Sequence, residues 1–285
     1  FQATLTGVVF AAGVGTLATE IAASRLLAPY FGNSTIVWAN VIGLTLASLA
    51  VGYWLGGRLA DRYPTPRALG LIVAAAACLV AVATLLARPI LDFSVEGLDR
   101  VSAGAAIGSF FGVLILFVPP VTLMGMVAPF AIRLAIQDVE SVGTVAGRLY
   151  AVSTVGSLLG TLLAALVAIP AIGTQRTLLA AAALIGASGA VLLGRRWTLL
   201  AAGLAALLLI PPGAVKGQSG VIFEDESRYQ FIQVVEDDGV RRLYLDEGLA
   251  THSVWREDDV LTGGVWDTYV AVVDLLGRQP ERVAM

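Results

Sequence analysis

The sequence predicts an α-helical polytopic membrane domain of about seven transmembrane helices, followed by a small mainly-β domain with one helix. Three observations carry this. Mean hydropathy is +0.83, and 57% of the 285 residues are hydrophobic against 14% charged, where a soluble domain carries about 25% charged residues. The apolar residues fall into runs of the length a bilayer demands, about 20 residues per helix. After Pro212 the pattern changes to short alternating stretches separated by turn formers.

Taken in order, seven candidate spans run over roughly 4–30, 36–57, 68–88, 106–135, 146–170, 177–194 and 197–212. The fourth contains Pro119-Pro120, which predicts a kink or break because proline removes a helical donor and clashes with the preceding turn. The seventh is short and ends at Pro211-Pro212. Small residues recur, as in the GSLLGTLLAALVA stretch, and these allow membrane helices to approach closely. Residues 213–219 read as a linker. In 220–262, VIFEDE, RYQFIQVVE, VRRLYLD and LATHSVW read as strands, with a hairpin turn at Asp237-Asp238-Gly239. In 263–285, GGVWDTYVAVVDLLG reads as a helix, and Arg282 to Met285 as the opening of a further strand. Phe1 and Met285 therefore read as the ends of a piece of a longer chain.

Loop charge gives orientation. Arg58, Arg62, Arg67, Arg133, Arg148, Arg195 and Arg196 flank the even-numbered connections, whereas Arg88, Arg100 and Arg176 flank the odd ones. Arginine-rich loops stay in the cytoplasm, which predicts a cytoplasmic N-terminus. Seven spans then put residues 213–285 on the opposite side. Six would return them to the cytoplasm.

Several functions are excluded or disfavoured. A net charge of −3, with the acids concentrated in 224–281, offers no nucleic-acid footprint. Cys78 is the only cysteine and lies in an apolar run, so no intrachain disulfide forms. His252 is the only histidine, which excludes a histidine metal cluster, and no metal site is expected. Glu20 and Arg25 lie inside the first span. Charges there are expensive; they read as an ion pair, as Arg25 reaching for the interface, or as a polar path with Glu20 as counter-charge.

Two resemblances follow from motifs. GGRLADRYPTPR, through Gly57, Leu59, Ala60, Asp61 and Arg62, is similar to the cytoplasmic loop between the second and third helices of major facilitator transporters. Asp61 would accept hydrogen bonds from nearby arginines or helix ends. Ser227, Tyr229, Gln230 and Ile232, then Leu245, Asp246 and Gly248 with Glu247 inserted, resemble the β-domain of the aminopropyltransferase, or spermidine synthase, family. EIAASRLLAPYFGNSTIVWANVIG and VPPVTLMGMVAPFAIRLA look like the multi-helix domain fused to such domains in many bacteria.

This resemblance implies a membrane-integrated protein of the bacterial inner membrane. It would transfer an aminopropyl group from decarboxylated S-adenosylmethionine to a polyamine, with no other cofactor. Tyr229, Gln230, Leu245 and Asp246 would face the donor, and Trp266, Asp267 and Tyr269 the acceptor. No catalytic residue is expected in this chain, since the family's glycine-rich donor loop and catalytic aspartate would follow Met285. Thr251 stands where the family has a glutamine, and the family's paired acceptor carboxylates are reduced to Asp267, so methyl transfer stays open beside aminopropyl transfer. The expected partners are the lipid bilayer and a small polyamine, and a homodimer is compatible with this reading. The competing readings are a polyamine or other small-molecule transporter or channel with a soluble sensing domain, and a scaffold whose helices only anchor the tail.

Overall fold

The computed structural model describes residues 1–98, 104–136, 138–211, 213–246, 250–269 and 272. A helical bundle carries one four-stranded antiparallel sheet. The helices are α1 (Gln2–Phe31), α2 (Thr35–Arg62), α3 (Pro66–Leu98), α4 (Gly104–Leu116), α5 (Val118–Gly125), α6 (Val127–Ala135), α7 (Val142–Leu163), α8 (Ile169–Leu193) and α9 (Thr198–Ala206), with a π-helical stretch over Ala164–Ala168. Five helical stretches, Gln2–Phe31, Thr35–Arg62, Pro66–Val95, Val118–Ala135 and Val142–Leu193, are long and apolar enough to cross a membrane. Leu46, Trp54, Leu158, Leu166, Val191 and Leu199 lie exposed on the bundle surface. Apolar exposure of that extent suits lipid better than water.

The seven expected spans become a larger number of helices. The fourth is broken into α4, α5 and α6. The first break falls at Phe117, because Pro119 and Pro120 are tolerated only in the first turn of a new helix. The second falls at Met126. The seventh, expected over 197–212, is not a spanning helix. α9 is nine residues long, one 3-10 turn (Leu207–Leu209) follows, and the chain is extended at Ile210.

Close helix contacts fix the directions. Carbonyls of Phe10 and Val14 on α1 occupy the space a Cβ would take at Gly156 and Gly160 of α7, so these helices run parallel with backbones nearly touching. Ala18, Ala164 and Ala181 form one cluster, so the chain reverses between 164 and 181. The reversal is at Gly173, whose φ of 80° is accessible to glycine at no steric cost. Gly189 and Gly186 of α8 face Ala74 and Ala77 of α3, and Leu204 of α9 packs on Gly186. α9 therefore runs back along α8.

One end of the bundle thus gathers the α1–α2 connection, the C-terminal part of α3, the Gly173 turn and residues 213–215. The other gathers residues 62–66, 136–142 and 193–198. At that second end Arg133 Nε donates to Asp61 Oδ1 at 3.1 Å, tying α6 to α2. Asp61 and Arg133 are both exposed, so the pair adds little stability.

The sheet has strands β1 (Val221–Glu226), β2 (Phe231–Asp237), β3 (Val240–Leu245) and β4 (Thr251–Arg256) in sequential order. The β2–β3 turn is at Asp238 (φ 48°) and Gly239 (φ 74°), the doubly left-handed geometry that matches strand twist. Gly220 (φ 79°) lets the linker enter β1. Of the helix expected over 263–277, the described residues 267–269 and 272 are helical, after a turn at 265–266. Residues 270, 271 and 273–285 lie outside the described residues, as do Glu247 and Gly248 of the second motif.

Candidate functional site

The sheet is fastened to the bundle end by polar contacts. Arg25, in the last turns of α1, donates from Nη1 to the Tyr229 carbonyl at 2.8 Å and from Nη2 to the Ser227 carbonyl. Tyr30 donates its hydroxyl to the Val215 carbonyl at 2.6 Å. Thr174 N donates to Glu226 Oε2. That last contact places a carboxylate on the N-terminus of the helix that restarts after Gly173, where the helix dipole favours negative charge. Arg25 thus pairs with backbone carbonyls, and Glu20 is not its partner among the described ion pairs.

Between the Gly173 turn, residues 213–215 and β1 lies a cavity of about 410 Å³. Its polar wall comes from Thr174, Gln175, Arg176, Glu224, Asp225 and Glu226, and its apolar wall from Ile169, Pro170 and Ile172. Glu224 accepts from Val215 N at 2.7 Å through Oε1 and from Gln233 Nε2 at 3.3 Å through Oε2. Burial raises the Glu224 pKa, and those two hydrogen bonds only partly oppose the rise. Gln233 is 3% exposed and also donates to the Lys216 carbonyl at 3.4 Å. Beside the cavity, Thr174 Oγ1 and Arg176 Nε are buried without a hydrogen-bond partner among the described residues, an unusual condition for buried polar atoms. This is a polar, carboxylate-walled chamber at the rim of an apolar bundle, suited to holding a small polar or cationic molecule.

The residues expected to bind the donor lie next to this chamber, but their backbones differ from the expectation. RYQFIQVVE is not a strand from its start. Ser227 to Gln230 form a turn in which Ser227 Oγ accepts from Tyr229 N at 3.2 Å and Gln230 N at 3.0 Å, and β2 begins only at Phe231. Serine competes with the ladder for local backbone groups. The Tyr229 side chain is 82% exposed. Leu245 ends β3 opposite Ile232. Asp246 adopts φ 50°, and its carboxylate accepts from Phe231 N at 3.1 Å, so it closes the β2–β3 ladder.

The expected acceptor residues are also locally engaged. Asp267 Oδ1 accepts from Thr262 N and Oγ1, both at 2.8 Å, and Oδ2 from Gly263 N at 2.7 Å. The Thr262 bonds hold its carboxyl below the usual range. It organises its own loop, with Trp266 half-buried against Gly264 and Tyr269 exposed. His252 is exposed on β4. Among the described residues no group of three or more histidine, cysteine or acidic side chains is arranged to hold a metal ion.

Sequence reasoning missed Glu224, Asp225, Glu226, Gln233 and the Gly173 turn. The available signal was VIFEDE itself. Three successive acids are unfavourable in a strand, and their presence marks a role other than pleating. No family model, curated protein or solved structure matches the chain.

Proposed function

We propose that the chain is the multi-pass membrane part of a spermidine synthase-like aminopropyltransferase of the bacterial cell membrane, with the sheet as the wall of its substrate site. In this reading the sheet presents Tyr229 and Gln230 to the nucleoside of decarboxylated S-adenosylmethionine, and the Glu224–Glu226 chamber receives the amine. This reading places no donor loop and no catalytic carboxylate within residues 1–285. The observation that carries the reading is the Arg25 clamp. It spends two charge-assisted bonds on the backbone of the 227–230 turn, so the membrane domain positions the segment bearing the family-like motif.

The test is donor binding by the natural full-length protein purified from membranes. Gln230→Ala removes an amide that can both donate and accept and is expected to weaken donor binding by about 1–3 kcal/mol. Unchanged binding would sink the assignment.

A second reading is favoured by one observation: the sheet sits at the bundle end opposite the Asp61–Arg133 pair and the arginine-bearing connections. If those connections are cytoplasmic, the sheet is extracytoplasmic. It would then capture a small cation outside the cell for passage through the bundle. A radiolabelled polyamine taken up by vesicles containing the chain alone would support this reading over the first.

A further inference from the structure

We propose that a second cavity at the junction binds a phosphate group, supplied by a membrane phospholipid. The cavity is about 230 Å³ and lies between α1, the start of α2, the π-helical stretch and the 227–230 turn. Two guanidinium groups, Arg25 and Arg228, line it together with Asn33 and Trp38, and no carboxylate is among its lining residues. Arg25 spends two N–H donors on the Ser227 and Tyr229 carbonyls. A guanidinium has five, so donors remain. Arg228 is exposed and makes no ion pair among the described residues. Trp38 Nε1 donates to Asn33 Oδ1 at 2.6 Å, which holds the Asn33 amide at the cavity with its own N–H groups unspent among the described residues. Two cations and an amide donor around one small space make a phosphate receptor, and arginine suits phosphate because its planar fork binds two oxygens at once.

The source follows from the surroundings. Ile21 and Ile169 give the cavity an apolar floor. Leu166 and Val167, in the same turn as the lining Ala165, are each 56% exposed. Acyl chains would lie on that surface while the head group enters the cavity, the arrangement seen where basic pockets between membrane helices take lipid head groups. A free phosphate ion would gain nothing from the apolar surface.

The proposal is independent of the transferase reading, and its test does not use donor or amine. The full chain is purified in a neutral detergent and stripped of lipid. Three probes are compared by native mass spectrometry and thermal midpoint: dioctanoyl phosphatidylglycerol, dioctanoylglycerol with the same tails and no phosphate, and inorganic phosphate. The phosphatidylglycerol is expected to bind at least about tenfold more tightly than dioctanoylglycerol, and Arg228→Gln to cost about tenfold, as expected for one charged hydrogen bond. Arg228→Glu, on an exposed turn residue, is expected to abolish binding while leaving far-ultraviolet dichroism unchanged. Inorganic phosphate binding as tightly as the lipid would overturn the lipid as source. Equal binding of the two glycerol lipids, or no effect of either Arg228 variant, would overturn the phosphate site itself.

Discussion

Glu224 stands where the linker, β2 and the carboxylate-walled chamber meet. Its pKa is raised from the ordinary 4.5 because burial disfavours the charged form. The folded protein therefore holds this proton more tightly than the unfolded chain does, and protonation favours the folded state. That contribution is complete below 4.5 and is lost as pH rises through the folded value. Wild-type thermal stability in detergent is expected to fall as pH rises from 4.5 through the range just above it. Glu224→Gln, which keeps an acceptor for Val215 N, should flatten this dependence and leave stability at neutral pH equal or higher. An unaltered pH profile in the variant would show that Glu224 does not titrate across the folding transition. Asp267 has the opposite sign: its loop N–H groups favour the charged form. Both carboxylates are visible in the sequence, but the motif resemblance singles out only Asp267. The structure shows its oxygens satisfied by Thr262 and Gly263, whereas Glu224 lines the chamber while accepting from Val215 N and Gln233 Nε2. Nothing in a linear pattern distinguishes an acid bonded to its own loop from one that lines a cavity between distant segments.

At the scale of elements, membrane helices associate through close packing rather than through loss of water, so glycine positions decide which helices meet. Gly160 shows this. A Cβ there would collide with the Val14 carbonyl, and backbone atoms have no rotamer through which to yield. Gly160→Val is expected to force α7 from α1 and to destabilise the bundle by about 1–3 kcal/mol, the usual range for overpacking. Gly147→Ala, which meets open space on the same helix, should be neutral or slightly stabilising through helix propensity. A thermal midpoint in detergent compares the two, and equal effects would mean that α1 and α7 are not packed as described. The GSLLGTLLAALVA stretch announced small-residue packing, and Pro119-Pro120 announced the break in the fourth span, because both act through local sterics. The strand beginnings were less legible. Ser227 diverts the backbone into a turn before β2, and Arg25, some 200 positions away, donates to that turn's carbonyls. The shortness of α9 was partly legible in Pro211-Pro212, but not the way it still returns the chain along α8.

For the whole molecule, the route of residues 194–215 decides what the sheet can do. Leu204 packs midway along α8 against Gly186, and Val215 reaches Tyr30 at the opposite end. The chain therefore makes a seventh passage along the bundle without a seventh long helix, and the sheet is held at the end opposite residues 62–66. If the bundle lies in a membrane, exposed positions at the two ends must face different compartments. With Cys78 replaced by alanine, Ser219→Cys and Thr65→Cys, both exposed, are expected to react with an impermeant thiol reagent from opposite sides: Ser219→Cys in intact cells, Thr65→Cys only after lysis. That result would require any aminopropyl donor to reach the extracytoplasmic face and would strengthen the capture-and-passage reading. Labelling of both from one side would mean that residues 194–215 do not traverse the bilayer and that the sheet shares the cytoplasm with the arginine-bearing loops. The measured sidedness therefore decides which substrates the Glu224–Glu226 chamber can meet before any question of catalysis arises.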